Sequence, residues 1–412
     1  MDFDVAIIGA GAAGISAARS LKSQGRKVVL IEAGSRIGGR AWTNEIYGLP
    51  LDMGCGWLHS AERNPLVDLA RAEGLDLVEG RTAWQDQWRD LGFSPHDRKA
   101  ALEAWSEMSE RMEKAPPASD RASDVLDTDG KWNAYCQSLS GYLNGAPLER
   151  LSVEDFLAYD RVATQSNWRV REGYGTLLVR SMPAVPLYAS CPARKVRLTQ
   201  SGVRIETVKG AIEARGVIVT VSTSVLAKGL IEFDPEVDDH LHAAANLPLG
   251  LADKLFFDLH GAHGLETETH LLGNPANDKT GSYYIRPLGR PVLEGFFGGP
   301  GAIAIENAGI LDAFNFALEE LTALLGSKIR HHLKPIAASS WCHAEWIHGS
   351  YSHALPGRAG DRERLAKPVG DKLFFAGEAT SRSDFSTAHG AWESGIRAAR
   401  EFVQHNPQAT VL

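Results

Sequence analysis

The 412-residue chain has little of what marks several large functional classes. Its four cysteines, Cys55, Cys136, Cys191 and Cys342, lie far apart with no Cys-x-x-Cys pair. That excludes a zinc-thiolate site or a redox dithiol and suits reduced thiols in a cytosolic protein. No apolar run reaches the ~18 residues that a membrane span needs. No leader-like stretch precedes the first apolar run, "FDVAIIG", so the expectation is a soluble, cytoplasmic protein without membrane contact. Blocks of Lys and Arg are missing and the formal net charge is −8; nucleic acid is not expected as a partner. The histidine pairs His240/His242 and His331/His332 lack a carboxylate at ligand spacing, so no metal site is expected. Repeats and low-complexity segments are also missing. What remains, with 44% hydrophobic and 23% charged residues, is an ordinary globular composition long enough for two or three domains with large cores.

The first forty residues carry most of the information. "DVAIIGAGAAGISAARSLKSQGRKVVLIEAG" runs from an apolar strand through a glycine turn into a small-residue helix and a second strand that ends in an acid. This is a βαβ unit. Gly9 permits the tight turn, Gly11 lets the backbone approach a pyrophosphate, and Gly14 lets the helix pack against the sheet. The helix N-terminus then faces the phosphates. Glu32 falls where a carboxylate accepts ribose hydroxyls. After the second strand, "SRIGGRAWT" places Gly38 and Gly39 where main chain can approach a large ligand, with Arg40 to hold a phosphate or a ring edge. Near the far end, "DKLFFAGEATSRSDFSTAHGAWESGIRAAREF" is another strand, turn and helix. Its Gly377-Glu378 turn is placed to carry the ribityl-pyrophosphate part of a flavin, and the helix after Ser386 aims its N-terminal amides at the ring system. A nicotinamide enzyme has no need of this second half-site, so FAD is the expected dinucleotide.

Several segments in this order resemble the flavin-dependent amine oxidase family, which includes monoamine oxidases, polyamine oxidases and flavin histone demethylases. They are "GAGAAG", "EAGSRIGGR", "LDMGCGWLHSAERNPL", "VIVTVSTSVL", "LPLGLADKLFF", "SSWCHAEWIHGSYSHALPG" and "FFAGEATSRSDFSTAHGAWESGIRAARE". The "WLHS" and "STAHGA" forms are most similar to the polyamine and spermine oxidase branch. The resemblance implies a Rossmann-like FAD-binding domain of the glutathione-reductase type, an α/β unit, joined to a mixed sheet-plus-helix substrate domain of α+β character. The FAD domain is expected from 1–78, 180–240 and 346–412, and the substrate domain from 79–179 and 241–345. Independent support comes from "SGVRIETVKGAIEARGVIVTVS", which alternates as a hairpin and then becomes a continuous apolar run, as a buried parallel strand does. Ser94 and Pro95 start a helix over 94–113 with Leu102, Trp105, Met108 and Met112 on one face, and "ILDAFNFALEELTALL" reads as a second amphipathic helix.

The resemblance also assigns residues. Its FAD-binding set is Gly9, Gly11, Ala13, Gly14, Glu32, Ala33, Gly39, Arg40, Gly56, Trp57, Val196, Glu378, Thr387 and Ala388, with Val196 at the adenine. By its own periodicity Lys254, in "LADKLFFDL", reads as a solvated or snorkelling lysine. The resemblance instead makes it the lysine bridged through a water to flavin N5, where a cation can stabilise charge as oxygen is reduced. Tyr351 and Trp341 correspond to aromatic walls of the substrate channel, which hold an amine by cation–π attraction; Trp341 also reads as a core tryptophan. Ser350 stands where monoamine oxidases carry a flavin-linked cysteine, so a noncovalent FAD is expected, and Thr387 where they carry a second cage tyrosine, so the cage is expected to be half open. His59 binds a distal substrate nitrogen or is an exposed loop residue, and Ser386 and Thr387 lie near the bound amine.

The implied activity is oxidation of a polyamine or related alkylamine. A hydride passes from the α-carbon to the flavin, the imine hydrolyses in water, and O2 is the acceptor, giving H2O2. The alternatives are an L-amino-acid oxidase of the same fold, which needs an arginine such as Arg286 or Arg169 for the substrate carboxylate, and a flavin desaturase or protoporphyrinogen-oxidase-like enzyme. An interaction protein of the histone demethylase kind is not expected, because the chain lacks that protein's long helical insertion.

Overall fold

The computed structural model describes residues 2–84 and 86–407. Two sheets organise it. The first has eight strands; the order across it is Glu232–Asp234, Ala193–Leu198, Val203–Thr207, Gly210–Val219, Phe3–Ile8, Val28–Ile31 and Leu187–Tyr188, with Leu373–Phe375 paired to Gly210–Val219 off that path. Phe3–Ile8 runs parallel to both Gly210–Val219 and Val28–Ile31. Val5–Ile8, Val28–Ile31 and Val217–Val219 are apolar and buried at every position because both faces of the sheet are covered there. Val5, Ile7, Val28 and Leu30 pack under the helices Ala12–Ser23 and Ala388–His405, while Ala6, Ile8, Val29 and Ile31 pack on the other side against Val225, Leu226, Ala243 and Ala244. The segment 203–219 behaves as its pattern predicts: a hairpin arm over Val203–Thr207, then a strand whose second half pairs parallel with Leu373–Phe375.

The second sheet is antiparallel throughout, in the order Thr269–Leu272, Ser282–Ile285, Val292–Gly298, Ala252–Leu259 and Leu333–Ala338. Leu255, Phe257 and Leu259 face the helices Pro300–Ala308 and Ile310–Leu325, against Ile305, Phe314 and Leu321. Phe256, on the opposite face with Lys254, packs against Leu51 and Met53. The face that carries the lysine is therefore turned toward the segment that follows the Gly38-Gly39 loop. Every residue of this strand except Asp258 is buried.

A helical layer completes the fold. Pro95–Lys114 starts at Ser94, whose Oγ accepts from the Asp97 N–H. Met108 and Met112 bury against Ala122 and Phe156, but Leu102, expected on the same face, is 40% exposed. The buried stripe runs through Ala101, Met108 and Met112, and Leu102 lies one residue, about 100° around the helix, off it. Among the described residues no helix is long and apolar enough to cross a membrane.

Candidate active site

The dinucleotide turn shows why each glycine stands where it does. Gly9 has φ +105°, and a Cβ there would lie 2.5 Å from Thr220 Oγ1. At Gly14 a Cβ would lie 2.0 Å from the Gly9 carbonyl oxygen. Gly11 differs: the nearest atom to a Cβ would be Gly39 Cα at 3.8 Å, so the space in front of it is open. Gly11 is the N-cap of Ala12–Ser23 and offers no side chain to cap it, which leaves the positive end of the helix available to an anion. Ala13 is buried within the first helical turn. The Glu32 carboxylate accepts the Ala10 N–H and the Gly34 N–H, both at 2.7 Å, across the residue Ala33. Burial raises its pKa despite those amides and the nearby Arg36. Each oxygen keeps one lone pair for a ribose hydroxyl.

At the other half-site the structure revises two expectations. Arg40 is engaged inside the protein: its Nη1 donates to the Ser350 carbonyl at 2.6 Å and pairs with Glu378 Oε1 at 2.8 Å. Glu378 is buried, and it also accepts from Ser352 Oγ at 2.7 Å and the Ser386 N–H at 2.8 Å. Burial pushes its pKa up, but Arg40, Arg362 and these hydrogen bonds outweigh it and hold the carboxyl below its usual range. Glu378 thus knots the site together, with both oxygens committed. Beneath it Arg362 makes a bidentate pair with Asp155 at 2.6 and 2.7 Å and donates to Ser352 Oγ at 3.0 Å. Beside the knot is a cleft lined by Arg40, Ser222, Thr223, Gly377 and Glu378. Thr223 Oγ1 is buried there with no partner among the described residues. An orphaned hydroxyl, an arginine edge and an uncapped helix N-terminus are a donor set that fits a dinucleotide's phosphates and hydroxyls.

Ser350, Tyr351 and Ser352 join this knot to the second sheet. Ser350 Oγ is buried and bonded to both main-chain atoms of Ala252, at 2.8 and 2.9 Å. Two residues on, Lys254 is 7% exposed. Its Nζ donates to the Asp52 carbonyl at 2.9 Å and pairs with Glu294 Oε1 at 2.9 Å. The solvated reading of this lysine is therefore wrong: the lysine is buried and ion-paired. Glu294 escaped the sequence reading, although a lone acid in "VLEGFF" facing a lone lysine in "ADKLFF" on neighbouring apolar strands was a usable signal. Gly56 lies against the ammonium, where a Cβ would come within 3.2 Å of Nζ. Next to it, Trp57 meets Trp84 edge-on at 4.6 Å and Tyr284 at 5.9 Å, with the Arg169 guanidinium 4.7 Å over its ring.

The other expected residues separate into two groups. Tyr351 is half-buried and its hydroxyl donates to the Tyr142 carbonyl at 2.6 Å; burial pushes its pKa far above the tyrosine range. Trp341 is 4% exposed within the helix-facing core, with Nε1 donating to the Met53 carbonyl at 3.1 Å. The core reading of Trp341 describes its surroundings better than an open channel wall. Ser386, at φ +62°, donates its hydroxyl to the Ser352 carbonyl at 2.6 Å. Thr387 caps the last helix through the Gly390 N–H at 2.9 Å and donates to the Asp384 carbonyl at 2.6 Å, just before Ala388 opens the helix. Both hydroxyls are committed to main-chain partners. His59 Nδ1 lies 2.6 Å from Asn167 Oδ1, and burial holds its pKa down to about 4, so the ring is neutral at pH 7. Val196 is buried in the core of the first sheet, on a strand paired on both sides, where it faces Ile205 and Phe233.

With this geometry in place, comparison with known proteins is decisive about the family. A family profile described as flavin containing amine oxidoreductase matches residues 12–92 and 88–403. The chain belongs to that family. Its cofactor is FAD, since a flavin family on a dinucleotide-binding turn requires the adenine form. Polyamine oxidase 2 of Arabidopsis thaliana is 30% identical over 439 residues, spanning 96% of this chain and 87% of the relative. Among solved structures, putrescine oxidase bound to putrescine superposes with a TM-score of 0.79 at 22% identity, covering 98% of this chain and 99% of the other. Cyclohexylamine oxidase from Brevibacterium oxydans IH-35A gives 0.79 at 21% identity, with the same coverage. The flavoprotein fold, an FAD-binding α/β unit with a sheet-plus-helix second unit, is thus shared over nearly the whole length. The protein is a flavin-dependent amine oxidoreductase.

Proposed function

We propose that this amine oxidoreductase oxidises a polyamine or related alkylamine at a C–N bond and uses O2 as acceptor. The observation that carries the reading is the buried ammonium of Lys254, clamped beside Gly56 and Trp57 on the face of the second sheet turned to the nucleotide-binding unit. When bound, the flavin supplies the acceptor for a hydride from the amine α-carbon and returns the electron pair to oxygen as H2O2. The chain's own groups orient and stabilise. Lys254 presents a fixed positive charge where oxygen gains electrons, and Tyr351 offers an aromatic face that holds a neutral or charged amine without strong donors. Trp341 contributes less, because so little of its surface is open. Ser350 has its hydroxyl committed to Ala252, and serine is no substitute for a flavin-linked thiol, so the FAD is held noncovalently. A polyamine oxidase among the relatives, and putrescine and cyclohexylamine oxidases among the fold neighbours, favour the alkylamine class.

One observation favours a second reading, an amine that also bears a carboxylate. Arg169 lies over Trp57, with Nη2 paired to Glu268 at 2.5 Å and Nη1 buried without a partner among the described residues. One experiment separates the two readings. The purified flavoprotein is mixed with spermine, spermidine, putrescine, cyclohexylamine and a panel of L-amino acids, and flavin bleaching and peroxide are followed. Bleaching by alkylamines with peroxide release is the expected result. Bleaching by amino acids alone assigns the substrate class to Arg169 and overturns the first reading, and bleaching without peroxide overturns O2 as the acceptor.

A further inference from the structure

Lys254 is held by two partners, and the second has no counterpart in the reading above. Glu294 lies on the strand Val292–Gly298, directly opposite Phe256 and Tyr284. Lys254 and Glu294 are thus diagonal neighbours on one sheet face, a separation long side chains bridge. The rest of that face is apolar near the pair: Phe256 packs with Leu51, Met53 and Val292. The lysine side chain is 8% exposed and the glutamate 20%. Desolvating two charges in such a place returns little or no net stability compared with an apolar pair of the same volume. Stability is therefore a poor reason for the pair, and geometry is a better one. An ammonium has three N–H donors; Glu294 takes one and the Asp52 carbonyl a second. One donor is left, and the space at Gly56 is kept clear of any side chain.

We propose that Glu294 is the positioning residue for Lys254: its carboxylate fixes the ammonium in one rotamer with a single N–H free to point at the reaction centre. A long, flexible lysine stem would otherwise swing among rotamers and lose that freedom whenever it had to be ordered; the ion pair orders it in advance. Other charged and titratable groups around the pair are the Asp52 carboxylate, the Cys55 thiol and Arg290. The Asp52 carboxylate is occupied by Thr43 Oγ1 and the Tyr174 N–H, and Arg290 Nη1 by the Pro50 carbonyl. Glu294 is thus the one side chain among the described residues that forms a salt bridge with the lysine. The inference rests on the proposed place of Lys254 beside the flavin.

A double-mutant cycle tests it. FAD-loaded wild type, Glu294→Gln, Lys254→Met and the double variant are reduced by substrate and mixed with oxygenated buffer, and both half-reactions are timed. Lys254→Met should slow reoxidation by about 10²-fold, the cost of losing a preorganised electrostatic donor. Glu294→Gln should slow it about tenfold, leave substrate reduction within about twofold of wild type, and add nothing to Lys254→Met in the double variant. Slowing by Glu294→Gln that multiplies with that of Lys254→Met means Glu294 acts independently, and equal slowing of both half-reactions means its role is structural; either overturns the inference. Unfolding of the four apoproteins supplies a readout that does not depend on flavin chemistry: the two sites should be coupled there too. Coupling in unfolding with no effect of Lys254→Met on reoxidation keeps the anchor and refutes the lysine's place at the flavin. No coupling in unfolding refutes the anchor itself. Should Glu294→Gln fail to fold, Glu294→Asp keeps the charge on a shorter stem and should show the same selective slowing of reoxidation.

Discussion

Replacing Gly11 by alanine separates cofactor binding from folding at the nucleotide turn. The backbone there has φ −83° and ψ −169°, which any residue adopts, and the added methyl would find no atom nearer than 3.8 Å. Alanine is a poorer N-cap than glycine by up to about 1 kcal/mol. Restricting the unfolded chain returns about 0.4–1 kcal/mol, so apoprotein stability should stay within about 1 kcal/mol of wild type. The methyl does, however, stand in the open space through which a pyrophosphate approaches the helix N-terminus. Lengthening one hydrogen bond to a charged group forfeits about 1.5–3 kcal/mol, or about 10–100-fold in Kd. Gly14→Ala is the contrast, because its Cβ would sit 2.0 Å from the Gly9 carbonyl oxygen. That overpacking should cost the apoprotein about 1–3 kcal/mol or more. The assay is titration of each apoprotein with FAD by fluorescence, beside thermal unfolding without FAD. The reasoning fails if Gly11→Ala binds FAD as tightly as wild type, or if it destabilises the apoprotein as much as Gly14→Ala does.

Three further outcomes follow from the geometry. Precipitation of the holoprotein with acid should release all of its flavin to the supernatant; flavin retained in the pellet would contradict the noncovalent reading drawn from Ser350. Asp253 is buried, bonded through Oδ1 to Ser339 Oγ at 2.7 Å and the Trp341 N–H at 3.1 Å, and its pKa is pushed up to about 8 by burial and then by the neighbouring Glu306. The folded state then binds a proton that the unfolded state releases near pH 4, so stability should fall as pH rises from about 4 to 8, by at most about 1.4 kcal/mol per pH unit from this group. Asp253→Asn mimics the protonated acid and should flatten that slope in urea unfolding at pH 5 and pH 8; an unchanged slope would remove Asp253 as its source. Arg362→Met should cost about 3–5 kcal/mol in chemical unfolding, because it strands the buried Asp155 carboxylate. A loss under about 1 kcal/mol, the worth of a surface pair, would mean that water reaches this pair.

The sequence by itself determined the nucleotide-binding half. A strand, glycine turn, helix and acid are adjacent in the chain, so local rules of turn geometry and periodicity locate Gly9, Gly11, Gly14 and Glu32 without knowledge of the rest. It also carried the parallel strand at 217–219 and the helix from Ile310, because burial on both faces or on one stripe leaves its pattern in successive residues. Tertiary structure decided what long-range pairing controls. Whether Lys254 is wet or buried depends on Asp52 and Glu294, which lie 202 residues away from it along the chain in the one case and on the neighbouring strand in the other. Arg40 and Glu378 looked like separate ligands of a phosphate and a ribityl chain until a 338-residue separation closed into one ion pair. Trp341, a channel wall by resemblance, became a core residue once the fold brought Trp42, Met53 and Gly54 against its indole. Periodicity reports that a side chain is turned inward; only the partner strand, brought up by the fold, determines whether an inward charge is neutralised, and by which acid.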